Sequence, residues 1–264
     1  MFAAISGLRS HQTMMDVVGN NLANVNTIGY KSSRATFQES LTQVERGASG
    51  PAGAAPPTAG GVNPFQVGLG VRVASVDTNF AQGSVQVTGR RSDVAINGEG
   101  FFRIEADGVE SYMRGGAFSW DADGNLVTPD GGLVLDDTGT PITVDPALYT
   151  DPSIASNGQI SARDAGGVSQ PISVMGLARF ANSSGLTRIG NGLYQASPNS
   201  GVPIEGPPNA GGMGFLQSGT VEMSNVDLAA EFTNMIIAQR GLQANSRTIT
   251  SSDEILQELV NLKR

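Results

Sequence analysis

A seven-residue repeat near the C-terminus is the feature that most constrains this chain. Leu228, Met235, Leu242, Ile249 and Leu256 recur at one heptad position, with Phe232 and Val260 on the adjoining column. That spacing keeps one apolar stripe on one side of an α-helix, and it predicts a helix over residues 225–264 that needs a helical partner. Ser224-Asn225 offers an N-cap, and Asp227 suits the positive end of the helix dipole. The column between carries Gln239, Ser246 and Asp253, so the seam is half polar and too weak for an isolated dimer. A helix of about 38 residues spans about 57 Å, longer than a compact domain needs for its own core.

The N-terminus mirrors this pattern. Residues 3–26 contain no Pro, and Ala4, Leu8, His11, Met15, Val18, Leu22 and Val25 follow alternating steps of four and three. Gly7, Gly19 and Asn20-Asn21 lower helicity, by up to about 1 kcal/mol per Gly relative to Ala. Such a helix orders fully only with a partner. Asn26-Thr27-Ile28-Gly29-Tyr30 supplies its stop signal. The expected joining surface is therefore Leu8, Met15, Val18, Leu22, Leu228, Phe232, Met235, Leu242, Ile249 and Leu256.

Between the ends the pattern changes. Gly is 35 of 264 residues and charged residues are 15%, a composition of short strands joined by Gly-containing turns. Residues 47–64 form a Gly/Pro/Ala-rich stretch that reads as an extended linker. Strand-like runs follow at 67–76, 84–88, 94–96, 101–104, 112–120, 126–128, 133–135, 142–144, 159–161, 172–180 and 193–195. Asn97-Gly98, Asp107-Gly108 and Asp123-Gly124 are hairpin-turn pairs among them. The fold class expected is mixed: long N- and C-terminal helices, forming a coiled-coil assembly domain, flank a mostly antiparallel β domain. In residue numbers, 1–35 and 225–264 form the helical domain, 36–75 a linker and 76–224 the β domain.

Chemistry is excluded mainly for want of residues. With no Cys and one His, the chain has no thiolate nucleophile, no zinc cluster and no disulfide frame. His11 falls on the helix seam, where a packing role is expected. Asp121-Ala122-Asp123-Gly124-Asn125 opens like a calcium loop, but position 12 is Gly132 rather than a bidentate Glu. The Gly pairs at 98–100 and 68–70 lack the rest of a dinucleotide or phosphate loop. No cofactor, metal or enzymatic activity is expected.

The net charge of -8 divides into +2 for residues 1–35, -1 for 225–264 and -9 for the middle. No basic stripe exists to neutralise phosphates, so nucleic acid is not an expected partner. No apolar run reaches the length of a membrane span, and the first residues do not read as a cleaved secretory signal.

The residues flanking the helices carry a specific resemblance. Ser6-Gly7-Leu8 with Met15-Asp16-Val17-Val18-Gly19-Asn20-Asn21-Leu22-Ala23-Asn24-Val25-Asn26-Thr27-Ile28-Gly29-Tyr30-Lys31 resembles the N-terminal signature of flagellar rod and hook proteins. Glu222-Met223-Ser224-Asn225-Val226-Asp227-Leu228 and Asn234-Met235-Ile236-Ile237-Ala238-Gln239-Arg240-Gly241 resemble their C-terminal signature. Asp93 to Phe102, and Phe180-Ala181-Asn182 with Gly185-Leu186, are similar to the family's β-domain motifs. Phe232 to Arg247 and Leu256 to Arg264 look like the hook type. The insert at 47–64 resembles, in position, the extra segment of distal rod proteins, and the interval from Asp136 to Met175 is too short for an additional outer domain.

The resemblance implies a hook subunit, with a distal rod subunit as the alternative. It also implies self-assembly into a helical homopolymer, with the paired terminal helices lining a tube and the β domain forming its wall. Implied partners are other axial proteins of the rod, hook cap and hook–filament junction, and the export apparatus. The location implied is the flagellum, reached without a cleaved signal. A different class, a monomeric secreted β-domain binding module whose helices cover its own core, is the competing expectation.

Overall fold

The computed structural model describes residues 2–50, 60–106 and 108–262. The Pro-rich centre of the expected linker, residues 51–59, lies outside them, as do Asp107 of one expected turn and the terminal Lys263-Arg264. The chain divides into two compact units. One comprises residues 1–22, 33–77 and 228–264; the other comprises 23–32 and 78–227.

The first unit holds α1 (Phe2–Ala23), β1 (Ser33–Glu39), β2 (Thr42–Arg46), β3 (Phe65–Gly68), β4 (Val71–Thr78) and α2 (Leu228–Leu262). Within the described part of 36–75, strand residues of β1 to β4 alternate with irregular segments around 40–41, 47–50, 60–64 and 69–70. β1 pairs with β4, and β2 pairs antiparallel with β3. The run expected as one strand over 67–76 is broken at Gly70, whose φ of +119° is open to glycine but strained for other residues. α1 stops at Ala23, where Thr27 turns back: its N–H donates to the Asn24 carbonyl and its hydroxyl to Asn24 Oδ1, both at 3.1 Å. α2 starts at Leu228, too far from Asn225 for that residue to cap it.

The second unit is mostly antiparallel β. Its strands are β5 (Val85–Val87), β6 (Val94–Asn97), β7 (Phe101–Ala106), β8 (Val109–Met113), β9 (Ser119–Trp120), β10 (Leu126–Val127) and β11 (Leu133–Val134). There follow β12 (Tyr149–Ile154), β13 (Gln159–Asp164), β14 (Ser169–Val174), β15 (Leu177–Arg179), β16 (Thr187–Gly190), β17 (Leu193–Gln195), β18 (Ile204–Gly206), β19 (Phe215–Ser218) and β20 (Thr220–Glu222). The main sheet runs β16-β17-β8-β7-β11-β10-β9, with β15 and β18 joined to it through β7. β12-β13-β14 forms a second sheet. The last strands close on the first: β19 pairs β6 and β20 pairs β5.

β6, β7 and β20 are almost wholly buried, whereas β5 and β16 are exposed throughout. Ile96, Phe102, Ile104, Leu126, Ile160, Met175, Leu177 and Leu216 are fully buried in one cluster. Phe101, Tyr112, Phe180 and Tyr194 form a second, in which Phe80 meets Phe101 and Tyr194 edge to face. Two expected strands are interrupted. The run 112–120 breaks at Gly115-Gly116, because a Cβ on Gly116 would overlap the Val94 carbonyl. The run 172–180 breaks at Gly176, where a Cβ would meet the Asp136 backbone. Residues 142–144 make only isolated bridges, such as Asn125 with Thr143.

Candidate assembly surface

In the first unit α1 and α2 pair at three points. A Cβ on Gly7 would lie 2.8 Å from Asn245 Nδ2, a Cβ on Gly241 would lie 2.5 Å from His11 Nε2, and Asn21 Nδ2 donates to Glu231 Oε1 at 3.0 Å. As the α1 partner advances the α2 partner recedes, so the helices are antiparallel. They approach where one side has no side chain at all, which only Gly allows. Asn21 is buried and also fixes the return of the chain. Its Oδ1 accepts from the Ser33 N–H at 2.9 Å, and its Nδ2 donates to the Ser33 carbonyl at 2.8 Å.

α1 buries Ala4, Gly7, Ser10, Val18 and Asn21, while Leu8, Met15 and Leu22 are half-buried on the flank. On α2 the column Met235, Leu242 and Ile249 is half-buried. Its companion column is Glu231, Ala238, Asn245 and Ser252, not Gln239, Ser246 and Asp253, which are exposed. The reason is physical: a small or amide-bonded column permits close approach, and a reading weighted by hydrophobicity passes over it.

Of the other expected positions, Leu228, Phe232 and Leu256 are 43%, 50% and 50% exposed. Ile236, Ile237, Ile255, Leu259, Val260 and Leu262 are exposed as well. The antiparallel register runs out of α1 at about Thr250, so the end of α2 presents Ile255, Leu256, Leu259 and Val260 as one apolar stripe with no α1 beside it. Burying each such side chain is worth about 1.5–3 kcal/mol. The β2–β3 ribbon has the same character. All its residues are exposed, with Val44, Phe65 and Val67 among them, and a lone two-stranded ribbon is marginal in water. No helix among the described residues is long and apolar enough to cross a membrane.

In the second unit the signature residues that flank the helices form a polar clasp. Gly29 has φ +68°, and a Cβ there would overlap the Gly115 backbone; its N–H donates to the Glu222 carbonyl at 2.8 Å. The Arg188 guanidinium lies 5.0 Å from the Tyr30 ring centre and donates to the Lys31 carbonyl at 2.8 Å. Lys31 and Glu222 are fully buried and Arg114 nearly so. Lys31 Nζ donates to Glu222 Oε1 at 2.6 Å, and Arg114 Nε donates to Glu222 Oε2 at 2.6 Å. The rest of the Arg114 guanidinium donates to the carbonyls of Ile96, Gly98 and Gly100.

Burial opposes the Glu222 charge, but the Arg114 and Lys31 cations and their hydrogen bonds outweigh it and hold the carboxyl below the usual range. Burial pushes the Lys31 ammonium down by more than its Glu222 partner raises it, and the Arg114 cation adds a smaller push in the same direction. Asn225 closes the clasp: Oδ1 accepts from the Ser32 N–H at 2.8 Å, and Nδ2 donates to the carbonyls of Asn79 and Ala81 at 2.8 and 3.0 Å. Sequence alone marks Asn26 to Tyr30 as a helix stop and does not show the clasp. The available signal was Glu222, the one charged residue between Glu205 and Asp227.

Among the described residues no group of three or more His, Asp or Glu could hold a metal ion. Terminal helices with exposed apolar faces, and a mostly antiparallel β unit pinned by a polar clasp, are the features of a structural protein. Three family profiles match: "Flagella basal body rod protein" over residues 1–31, "Flagellar hook protein FlgE/F/G D1 domain" over 95–162, and "Flagellar basal body rod FlgEFG protein C-terminal" over 217–262. The chain is 49% identical to the flagellar basal-body rod protein FlgG of Bacillus subtilis, over all of this chain and 98% of that one. It is 40% identical to the FlgG of Agrobacterium fabrum, over 96% of this chain and 94% of the relative. Against the flagellar hook protein FlgE of Borreliella burgdorferi it is 28% identical, over 100% and 99% of the two chains.

The chain belongs to the flagellar rod and hook axial protein family, a structural family of the bacterial flagellum and not an enzyme. The rod proteins are the more similar, which reverses the order in which sequence alone placed hook and rod. The alignment with the hook protein spans 441 residues against the 264 here, so that relative carries a large segment this chain lacks.

Proposed function

We propose that the chain is the distal rod subunit of the flagellar basal body, polymerising into a straight tube that carries torque outward. The observation that carries this reading is the full-length match to rod proteins, at 49% identity and without room for an additional outer domain. The hook, the alternative, is favoured by the resemblance of Phe232 to Arg247 and of Leu256 to Arg264 to hook proteins. In the rod reading the helical unit is the assembly domain, lining the tube in coiled-coil fashion, and the β unit is its wall. Neighbouring copies cover the α2 stripe beyond Thr250 and the β2–β3 ribbon, and other axial proteins meet the two ends of the stack. Repeated head-to-tail contacts of this kind do not close, and they generate a filament.

Electron microscopy of purified full-length protein tests the proposal. Wild type is expected to form straight tubes, and Leu256→Asp to remain monomeric. Tubes from both would remove Leu256 from the interface. A wild type that stays monomeric under all polymerising conditions, with residues 36–224 unable to fold alone, would favour the monomeric binding module.

A further inference from the structure

We infer that Glu222 is the latch of a separately cooperative element: one carboxylate gathers three distant segments, 24–32, 79–84 and 220–225, which order and open together apart from the sheet core. Each carboxylate oxygen is committed. Oε1 accepts from Lys31 Nζ at 2.6 Å and from the Gly83 N–H at 2.8 Å, while Oε2 accepts from Arg114 Nε at 2.6 Å. The same segments are cross-stitched by backbone. Asn79 N–H donates to the Ser32 carbonyl, Met223 N–H to the Ser84 carbonyl and Gly29 N–H to the Glu222 carbonyl, each at 2.8 Å. Lys31 Nζ adds a bond to the Ala81 carbonyl at 2.8 Å.

Neither apolar cluster supplies this cohesion. Of these segments only Phe80 packs against one, at the margin of the Phe101–Tyr194 group. Cohesion is therefore polar and converges on one group whose loss leaves Lys31 and Arg114 buried without a counter-charge. Lys31 and Glu222 are 191 residues apart in sequence. The latch closes only once nearly the whole β unit is present, and until then the segments that follow α1 and precede α2 stay free. This holds whether the chain serves in rod or hook.

Hydrogen exchange by mass spectrometry on the full chain tests the latch. In Glu222→Gln, amides of 27–31, 79–84 and 223–225 are expected to exchange about 100-fold faster or more, and in step. Phe102–Ile104 and Ile160–Ala162 are expected to keep wild-type rates. Acceleration confined to residues beside 222, or an equal rise throughout the β unit, would overturn the inference. Should Glu222→Gln fail to fold, Lys31→Met decides, because it leaves Arg114 and Glu222 as a balanced pair. The same three segments are then expected to accelerate by a smaller, shared factor, and an unchanged 79–84 would overturn the latch.

Discussion

Two glycine-to-alanine changes separate the packing of the helix pair from helix propensity. Alanine favours a helix over glycine by about 0.8–1 kcal/mol. At Gly19 nothing among the described residues lies within 4 Å of an added Cβ, so Gly19→Ala is expected to stabilise the helical unit by about 1 kcal/mol. At Gly241 three ring atoms of His11 lie 2.5, 2.6 and 2.7 Å from an added Cβ. Overpacking of this kind costs about 1–3 kcal/mol, so the net effect of Gly241→Ala runs from neutral to about 2 kcal/mol destabilising. Urea unfolding of the full chain by far-ultraviolet circular dichroism, compared at constant slope, reads the difference. Adding His11→Ala to Gly241→Ala removes the overlap and should restore most of the alanine gain, seen as coupling in a double-mutant cycle. If Gly241→Ala stabilises as much as Gly19→Ala, the close antiparallel approach of α1 and α2 is wrong.

Three further outcomes follow from the same structure. Glu222→Gln should cost about 3–5 kcal/mol in the opening of the clasp, read from the lost protection of 27–31, 79–84 and 223–225, because two buried cations lose their only carboxylate, while the urea transition of the sheet core stays close to wild type. The folded Glu222 carboxyl lies below its unfolded value, so its contribution is complete above the unfolded pKa of about 4.3 and is lost as pH falls through the folded value. The wild type should therefore weaken more steeply than Glu222→Gln on acidification, and parallel curves would count against the clasp. Leu256→Asp should leave monomer stability within about 0.5 kcal/mol of wild type, as an exposed site does, while sedimentation shows polymer growth abolished. Gly29→Ala should lower the thermal midpoint, since alanine at φ +68° costs about 1–2 kcal/mol before the Gly115 backbone is displaced; an unchanged midpoint would contradict the docked turn.

The helices were legible because a period near 3.5 survives even when half its seam is polar, and Leu242 or Ile249 announce it without help from the fold. Their contact face was less legible. Gly7, Asn21 and Ala238 do the close packing, and a small residue carries no apolar weight in a periodicity. β6, β7 and β13 were visible as runs such as Val94-Ala95-Ile96, whereas β1, β2, β19 and β20 were not. The exposed strands among these alternate too weakly, and β20 is chosen by its pairing with β5 on the other side of the chain. The clasp lies further out of reach, since nothing local links Lys31 to a carboxylate 191 residues away. Sequence alone puts hook before rod on the resemblance of the α2 residues, whereas chain length and overall identity favour rod.

Immunogold labelling of isolated hook–basal bodies with an antibody to the β unit tests the central claim most directly. The account predicts gold along the straight distal rod, inside the cell surface. Gold on the curved hook outside it would contradict the account.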